Sequence, residues 1–178
     1  VFTINGFPYG DFHRKRVKEQ VYKPDWATPE RVEYTKRLFD ILAAIAPADA
    51  GGSVSTVPCS FKEFITERAQ EQAIRDNLWR CVEHIAALSE RTGKALHLGL
   101  EPEPLGLFET SAETIAFFEQ LRAEHPNDAR LAAHLGGYAA APDDLRPCTV
   151  AFSGYAEFHS WMAARTSTQS TAETNDHV

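Results

Sequence analysis

Three short apolar runs alternate with three longer segments of helical periodicity, and this order restricts the folds open to the chain. The apolar runs are residues 1–7, 53–57 and 95–101. The helical segments begin near Thr28, Phe61 and Ser111, and their apolar residues recur every three or four positions. A strand–helix order repeated three times predicts a parallel sheet with helical crossovers, which is the α/β fold class.

The acidic balance of the chain argues against nucleic acid as a partner. The 178 residues include 25 acidic and 18 basic side chains, which gives a formal net charge of −7. Such a surface repels a phosphate backbone on average. No apolar run in the sequence approaches the ~20 residues of a membrane-spanning helix, so no transmembrane segment is expected.

Three widely spaced cysteines lack the CxxC or cysteine–histidine spacing of a zinc site. They are Cys59, Cys81 and Cys148. The sequence therefore predicts reduced thiols in a cytoplasmic protein.

The C-terminal part of the chain departs from the strand–helix pattern. After Leu135 the sequence loses its periodicity, and residues 166–178 contain six serines and threonines in thirteen positions. We therefore predict an irregular segment over 136–165, with one short helix as an interpretation of 155–164, and a disordered tail over 166–178. A fourth strand is one interpretation of 130–135.

The two faces of the predicted strands differ in character. In the third run, three leucines alternate with a mostly polar set that consists of His97, Gly99 and Glu101. The first run repeats this alternation with Thr3 and Asn5, and the second run repeats it with Ser53 and Ser55. We expect the apolar faces to pack against helices and the polar faces to line a barrel interior or a ligand crevice.

The carboxyl ends of the three strands mark the candidate site, because active sites of parallel barrels lie at these ends. The ends are Asn5, Pro58 and Glu101. Glu101 precedes a proline-rich loop, which favours it as a metal ligand or as a catalytic acid–base group, with a solvated loop carboxylate as the alternative. His97 lies roughly 13 Å from Glu101 along the strand, so the two cannot share one ion, and we interpret it as an interior histidine.

Polar and aromatic side chains in and after the strand ends are candidates for contacts with a small polar substrate. The polar candidates are Asn5, His13, Lys62 and Glu103. The aromatic candidates are Phe7, Tyr9 and Trp26. A plain surface loop is an equal alternative for His13, and the aromatic rings serve either to pack against a sugar ring or to hold the long loop in place.

Three long strings carry a family resemblance. They are FTINGFPYGDFHRKRVKEQVYKPDW at 2–26, SVSTVPCSFK at 53–62 and LHLGLEPEPLGLFETSAETIAFFE at 96–119. These strings resemble the metabolite-traffic proteins of the ebo cluster (EboE type), in the xylose-isomerase-like TIM-barrel superfamily. The resemblance covers 1–135 and implies a (β/α)8 barrel. A full barrel needs ~250 residues, so we expect a partial barrel of about three βα units.

The resemblance also implies a divalent metal, Mn²⁺, Mg²⁺ or Zn²⁺. The superfamily binds such ions through Glu, Asp, His and Glu at the ends of successive strands, and Glu101 matches the first position. The Asp and His are expected from a strand near Leu135. There the sequence departs from the family and reads LGGYA over 135–139.

Two functions are implied for an intact relative of this chain. One is metal-assisted sugar isomerase or epimerase chemistry on a small polar or sugar-like metabolite. The alternative is a non-catalytic metabolite-binding or trafficking component, with this chain inactive alone. Because a partial barrel leaves strand edges unpaired, we also expect the chain to self-associate.

Overall fold

A computed structural model of the chain describes residues 2–9, 19–47, 50–126 and 128–135. The predicted site residue His13 and the predicted segments over 136–165 and 166–178 lie outside these residues. The described strands and α-helices are β1 (Thr3–Asn5), α1 (Pro29–Ile45), β2 (Gly52–Thr56), α2 (Arg68–Thr92), β3 (Leu96–Leu100), α3 (Ser111–Glu124) and α4 (Ala129–His134), and short 3-10 helices span Gln20–Tyr22 and Lys62–Phe64. Among them, no helix combines the length and the apolar character needed to cross a membrane.

The three strands form one parallel sheet in the order β1–β2–β3. On one face of the sheet, one row of aligned residues holds Thr3, Ser53 and His97. The next row on that face holds Asn5, Ser55 and Gly99. The predicted α/β class with parallel strands is confirmed. Since parallel strands share one direction, their carboxyl ends meet at one edge of the sheet.

The core lies between the sheet and its helices. The three leucines of β3, at 96, 98 and 100, are at most 1% exposed, and Val54 of β2 is fully buried. Helices α1 and α2 pack against each other, α1 against β2 and α2 against β3. The predicted apolar face therefore packs on helices in β2 and β3, whereas Phe2, just before β1, is 66% exposed. Each buried leucine contributes about 1.5–3 kcal/mol relative to an exposed one.

Local sequence signals fix the ends of the helices. Pro29 occupies the first turn of α1, where its missing N–H costs nothing. Thr110 and Glu113 form a reciprocal capping box at the start of α3. Gly93 ends α2 in the left-handed conformation, with φ +69°, which glycine adopts without steric cost.

The interpretation of residues 130–135 as a fourth strand is wrong for most of this segment. Ala129–His134 is a helix, α4, and Leu135 alone forms a parallel bridge to Leu98 of β3. The segment contains alanine, arginine and leucine, which favour helix, and it has no β-branched residue.

The buried stripe of α3 differs from the predicted one at a single position. The sequence places Ile115, Phe118 and Leu121 toward the core. Phe118 and Leu121 are buried, but Ile115 is 42% exposed and Thr114 is buried instead. The spacing 114, 118 and 121 follows one helical face, and position 115 falls beside it.

Candidate functional site

Asn5 and Glu101 lie at the carboxyl edge of the parallel sheet. Asn5 is aligned with Ser55 and Gly99, on the face opposite the packed side chains, and Glu101 directly follows β3. The Glu101 backbone N–H donates to the carbonyl of Thr56 at 3.0 Å, which continues the β3 pairing to the end of β2. The Asn5 side-chain oxygen accepts from the Phe7 N–H at 2.9 Å and so stabilises the turn that leaves β1.

Glu103 also lies near this edge and is held by a buried tyrosine. The Tyr22 hydroxyl donates to a carboxylate oxygen of Glu103. Burial raises the pKa of Glu103, the neighbouring charge of Glu101 raises it further, and the hydrogen bond from Tyr22 opposes both. Burial and the Glu103 carboxylate raise the pKa of Tyr22 well above its usual value, so its hydroxyl stays a donor at neutral pH.

Aromatic packing fixes the ring of Tyr22. Its centroid lies 5.7 Å from that of Phe7, edge to face, and 5.5 Å from that of Phe61. Phe61 in turn packs on Phe64 at 5.1 Å. Phe7 therefore serves to hold the loop that carries Tyr22, which is one of its two predicted roles.

Trp26 fastens the same loop to the end of β2. Its side chain is fully buried, and its indole N–H donates to the Thr56 hydroxyl at 3.2 Å. Its backbone N–H donates to Cys59 at 2.9 Å, and its carbonyl accepts from the Asn77 amide at 2.9 Å. Of the two predicted roles for Trp26, the structure places it in the core, where it holds the loop.

Asp25, next to Trp26 in the same loop, is a buried carboxylate. Asp25 accepts from the Ser60 hydroxyl at 2.6 Å and from the Ala27 N–H at 3.1 Å. Burial raises the pKa of the adjacent Cys59 thiol, and the nearby Asp25 charge raises it further. A thiol that stays protonated is a poor nucleophile, so we assign Cys59 a structural role.

Arg31 is a charged group with a fully buried side chain. Its guanidinium donates to the carbonyls of Pro24 at 2.6 Å, Gly6 at 3.0 Å, Phe7 at 3.1 Å and Tyr22 at 3.5 Å. Burial lowers the pKa of Arg31 to about 10, so the group remains charged at neutral pH. It joins the turn after β1 to the loop that carries Tyr22.

Lys62 is bound by two carboxylates. Its ammonium lies 2.7 Å from Glu109 and 3.1 Å from Glu113. Hydrogen bonding to Glu109 raises the pKa of Lys62. Glu113 accepts from the N–H groups of Glu109 and Thr110, and these bonds, with Lys62, lower its pKa to about 2. The predicted substrate contact of Lys62 would have to compete with these ion pairs.

The capping carboxylate of Glu113 predicts a pH-dependent contribution to stability. At neutral pH, Glu113→Gln is expected to lower the free energy of unfolding by about 1 kcal/mol. A carboxylate with a depressed pKa stabilises the fold above its ordinary pKa of 4.5 and loses that effect as the pH falls toward about 2. Urea unfolding across this interval should show the difference from wild type shrinking. Glu119→Gln, at an exposed glutamate on the same helix, is the control.

The described residues do not complete a metal centre. Within that part of the chain, no group of three or more His, Cys, Asp or Glu side chains could hold a metal ion. Glu101 and Glu103 are adjacent carboxylates, whereas hard divalent ions take about six or more oxygen ligands. These two residues could supply part of such a set.

His97 lies on the polar face of the sheet, as predicted. It is half-buried, and burial lowers its pKa, with a further lowering from the charge of His134. His134 lies with Nδ1 2.9 Å from the Leu96 carbonyl oxygen. His97 and the His134 contact therefore lie at the start of β3, whereas Glu101 follows the opposite end of the strand.

The sequence nominated Asn5, Glu101 and Glu103 as candidates at the strand ends, but it did not nominate Tyr22 and Arg31, which contact this region in the structure. Tyr22 ends a three-residue 3-10 helix, Gln20–Tyr22, which is too short to show a periodicity that would indicate its contacts. The burial of Arg31 could have been predicted, because its spacing to Thr35 and Phe39 places it on the buried face of α1.

No protein-family model matches this chain, and no curated protein and no solved structure matches it either. The resemblance to the metabolite-traffic family therefore stays a prediction.

Proposed function

We propose that the chain contributes three βα units of a xylose-isomerase-like (β/α)8 barrel, whose strand ends bind a small polar or sugar-like metabolite. The observation that supports this best is the alignment of Asn5, Ser55 and Gly99 in one row, with Glu101 just beyond it at the carboxyl edge. In (β/α)8 enzymes, ligands bind at this edge. The packing of helices on the opposite face of the strands is also what such a barrel requires.

The side chains at this edge have complementary roles in the proposal. Glu101 and Glu103 accept hydrogen bonds from ligand hydroxyls, and Ser55 offers a hydroxyl on the same face. Tyr22 holds one oxygen of Glu103 and so limits the orientations of that carboxylate. A divalent ion would supply polarisation of ligand oxygens, with Glu101 as one of its ligands. The described residues do not by themselves complete the coordination of such an ion.

A non-catalytic metabolite-binding or trafficking component is the second candidate. Two observations favour it. The ammonium of Lys62 is bound to Glu109 and Glu113, and the hydroxyl of Tyr22 has a pKa raised well above its usual value. Neither group is therefore suited to transfer protons near neutral pH. Ligand capture at the strand ends needs only the carboxylates and hydroxyls.

Titration calorimetry of the 178-residue chain with D-xylulose tests the strand-end site. Glu101→Gln is expected to weaken binding about tenfold or more, because it removes a charge-assisted hydrogen bond. Glu119→Gln, at an exposed glutamate of α3, should bind as wild type does. Equal affinity of the wild-type and Glu101→Gln proteins would refute the strand-end site.

A parallel titration with Mn²⁺ separates the two candidate functions. Loss of Mn²⁺ binding in Glu101→Gln would support Glu101 as a ligand, and equal binding would remove it from the site. Metal binding without turnover of D-xylulose would favour the non-catalytic component.

A further inference from the structure

A cleft of about 330 Å³ lies between Tyr9, which follows the β1 turn, and the first turns of α1. Its lining residues are Tyr9, Pro29, Glu30, Glu33, Tyr34 and Arg37. The helical members at 30, 33, 34 and 37 share one face of α1, because they repeat at intervals of three and four. Tyr9 is also one of the aromatic candidates from the sequence, whereas Asn5, Ser55, Glu101 and Glu103 of the strand-end site are not part of this lining.

Two tyrosine rings form a corner in this cleft. The centroids of Tyr9 and Tyr34 are 4.9 Å apart, with their planes at 77°. The Tyr34 hydroxyl donates to the carbonyl of Pro8 at 3.0 Å, which fixes the segment that carries Tyr9 against the helix. The ring contact and this hydrogen bond together hold the two tyrosines in this arrangement.

Tyr9 differs from the other aromatic residues that the sequence singled out. Trp26 is fully buried and Phe7 packs on Tyr22, whereas Tyr9 is 48% exposed. A large ring that is half exposed on the wall of a cleft offers a flat apolar surface to a ligand.

The charged side chains around this corner restrict the ligand. Glu30 and Glu33 provide acceptors, Arg37 provides a fork of donors, and the ammonium of Lys36 pairs with Glu33 at 3.4 Å. The two carboxylates and the two cations balance in charge, so a phosphate, carboxylate or ammonium ligand would lose hydration without gaining net attraction. Hydroxyl groups both donate and accept, so they can pair with either kind of side chain. The volume is at the small end of the usual range for ligand pockets, which suits a single sugar ring.

We propose that this cleft binds a neutral, polyhydroxylated ligand of monosaccharide size. One apolar face of its ring lies on Tyr9, and its hydroxyls bond to Glu30, Glu33 and Arg37. The proposal goes beyond the strand-end site and does not depend on it.

Saturation-transfer NMR on the 178-residue chain tests the cleft, with methyl β-D-glucopyranoside as the probe. The expected Kd is about 1 mM, because few contacts are fully desolvated. Glucose 6-phosphate and glucosamine, as charged counterparts, should bind at least about fivefold more weakly. Absence of pyranoside binding, or equal binding of the charged sugars, would overturn the proposal.

Variants locate the bound sugar. Tyr9→Ala should weaken pyranoside binding about tenfold, and Tyr9→Phe should keep it within about twofold. Arg37→Gln, at an exposed position, should weaken it about fivefold without affecting the circular dichroism spectrum. Glu119→Gln, at an exposed glutamate of α3, should leave it unchanged. If Glu101→Gln abolishes binding while Tyr9→Ala and Arg37→Gln retain it, the sugar binds at the strand ends and the cleft proposal is wrong.

Discussion

Replacing Arg31 with methionine is expected to lower the free energy of unfolding by about 3–5 kcal/mol. The methionine fills most of the space but donates no hydrogen bond. The carbonyls of Gly6, Phe7 and Pro24 then lose the donors that the guanidinium now supplies. Each buried acceptor left without a partner costs about 1–3 kcal/mol, which exceeds the gain from removing one buried charge.

Urea unfolding followed by circular dichroism measures this effect. Arg31→Lys should recover part of the loss, since an ammonium can reach some of the carbonyls but lacks the planar fork. Arg37→Met, at an exposed arginine of the same helix, should change stability by less than about 0.5 kcal/mol. If the two methionine variants were equally stable, the carbonyl contacts of Arg31 would carry no net stabilisation.

The sheet was predictable because its signals are periodic. The alternation of leucine with polar residues over 96–101 predicted both the strand and its buried face, and β3 confirms both. The same reasoning failed at 130–135, where one short apolar segment was compatible with strand or helix. The prediction that Ile115 is buried was wrong for a related reason, because an error of one position rotates the predicted face of a helix by about 100°.

The candidate site was predictable only where it belongs to the sheet. Glu101 and Asn5 follow from the rule that strand ends meet at one edge. Tyr22 and Asp25 belong to the loop over 19–27, and each has a partner far away in the sequence, Glu103 for Tyr22 and Ser60 for Asp25. Tyr22 contacts Glu103 across 81 positions, and no local pattern encodes such a contact.

This loop depends on long-range contacts as well as on its own turns. Arg31 holds it from α1, and Trp26 holds it from within. The orientation of Glu103 is therefore coupled to the core through Tyr22. Variants at the two supporting residues should affect the site and the fold together.

Truncation of Trp26 to alanine is expected to destabilise the protein by about 3–5 kcal/mol. The side chain is fully buried, so its loss leaves a cavity, and the Thr56 hydroxyl loses its indole donor. Trp26→Phe retains most of the apolar volume, so it should cost about 1–3 kcal/mol, chiefly through the lost hydrogen bond and the smaller ring.

Trp79→Ala is the matched control for Trp26. Trp79 is half-buried on α2, where its ring stacks on His125 at 3.7 Å between centroids and lies 5.0 Å from the Arg130 guanidinium carbon. Because it keeps one side near solvent, its truncation should cost only about 1–2 kcal/mol. Urea unfolding by circular dichroism compares all three variants without relying on tryptophan fluorescence. Equal losses for Trp26→Ala and Trp79→Ala would contradict the role of Trp26 as the interior support of this loop.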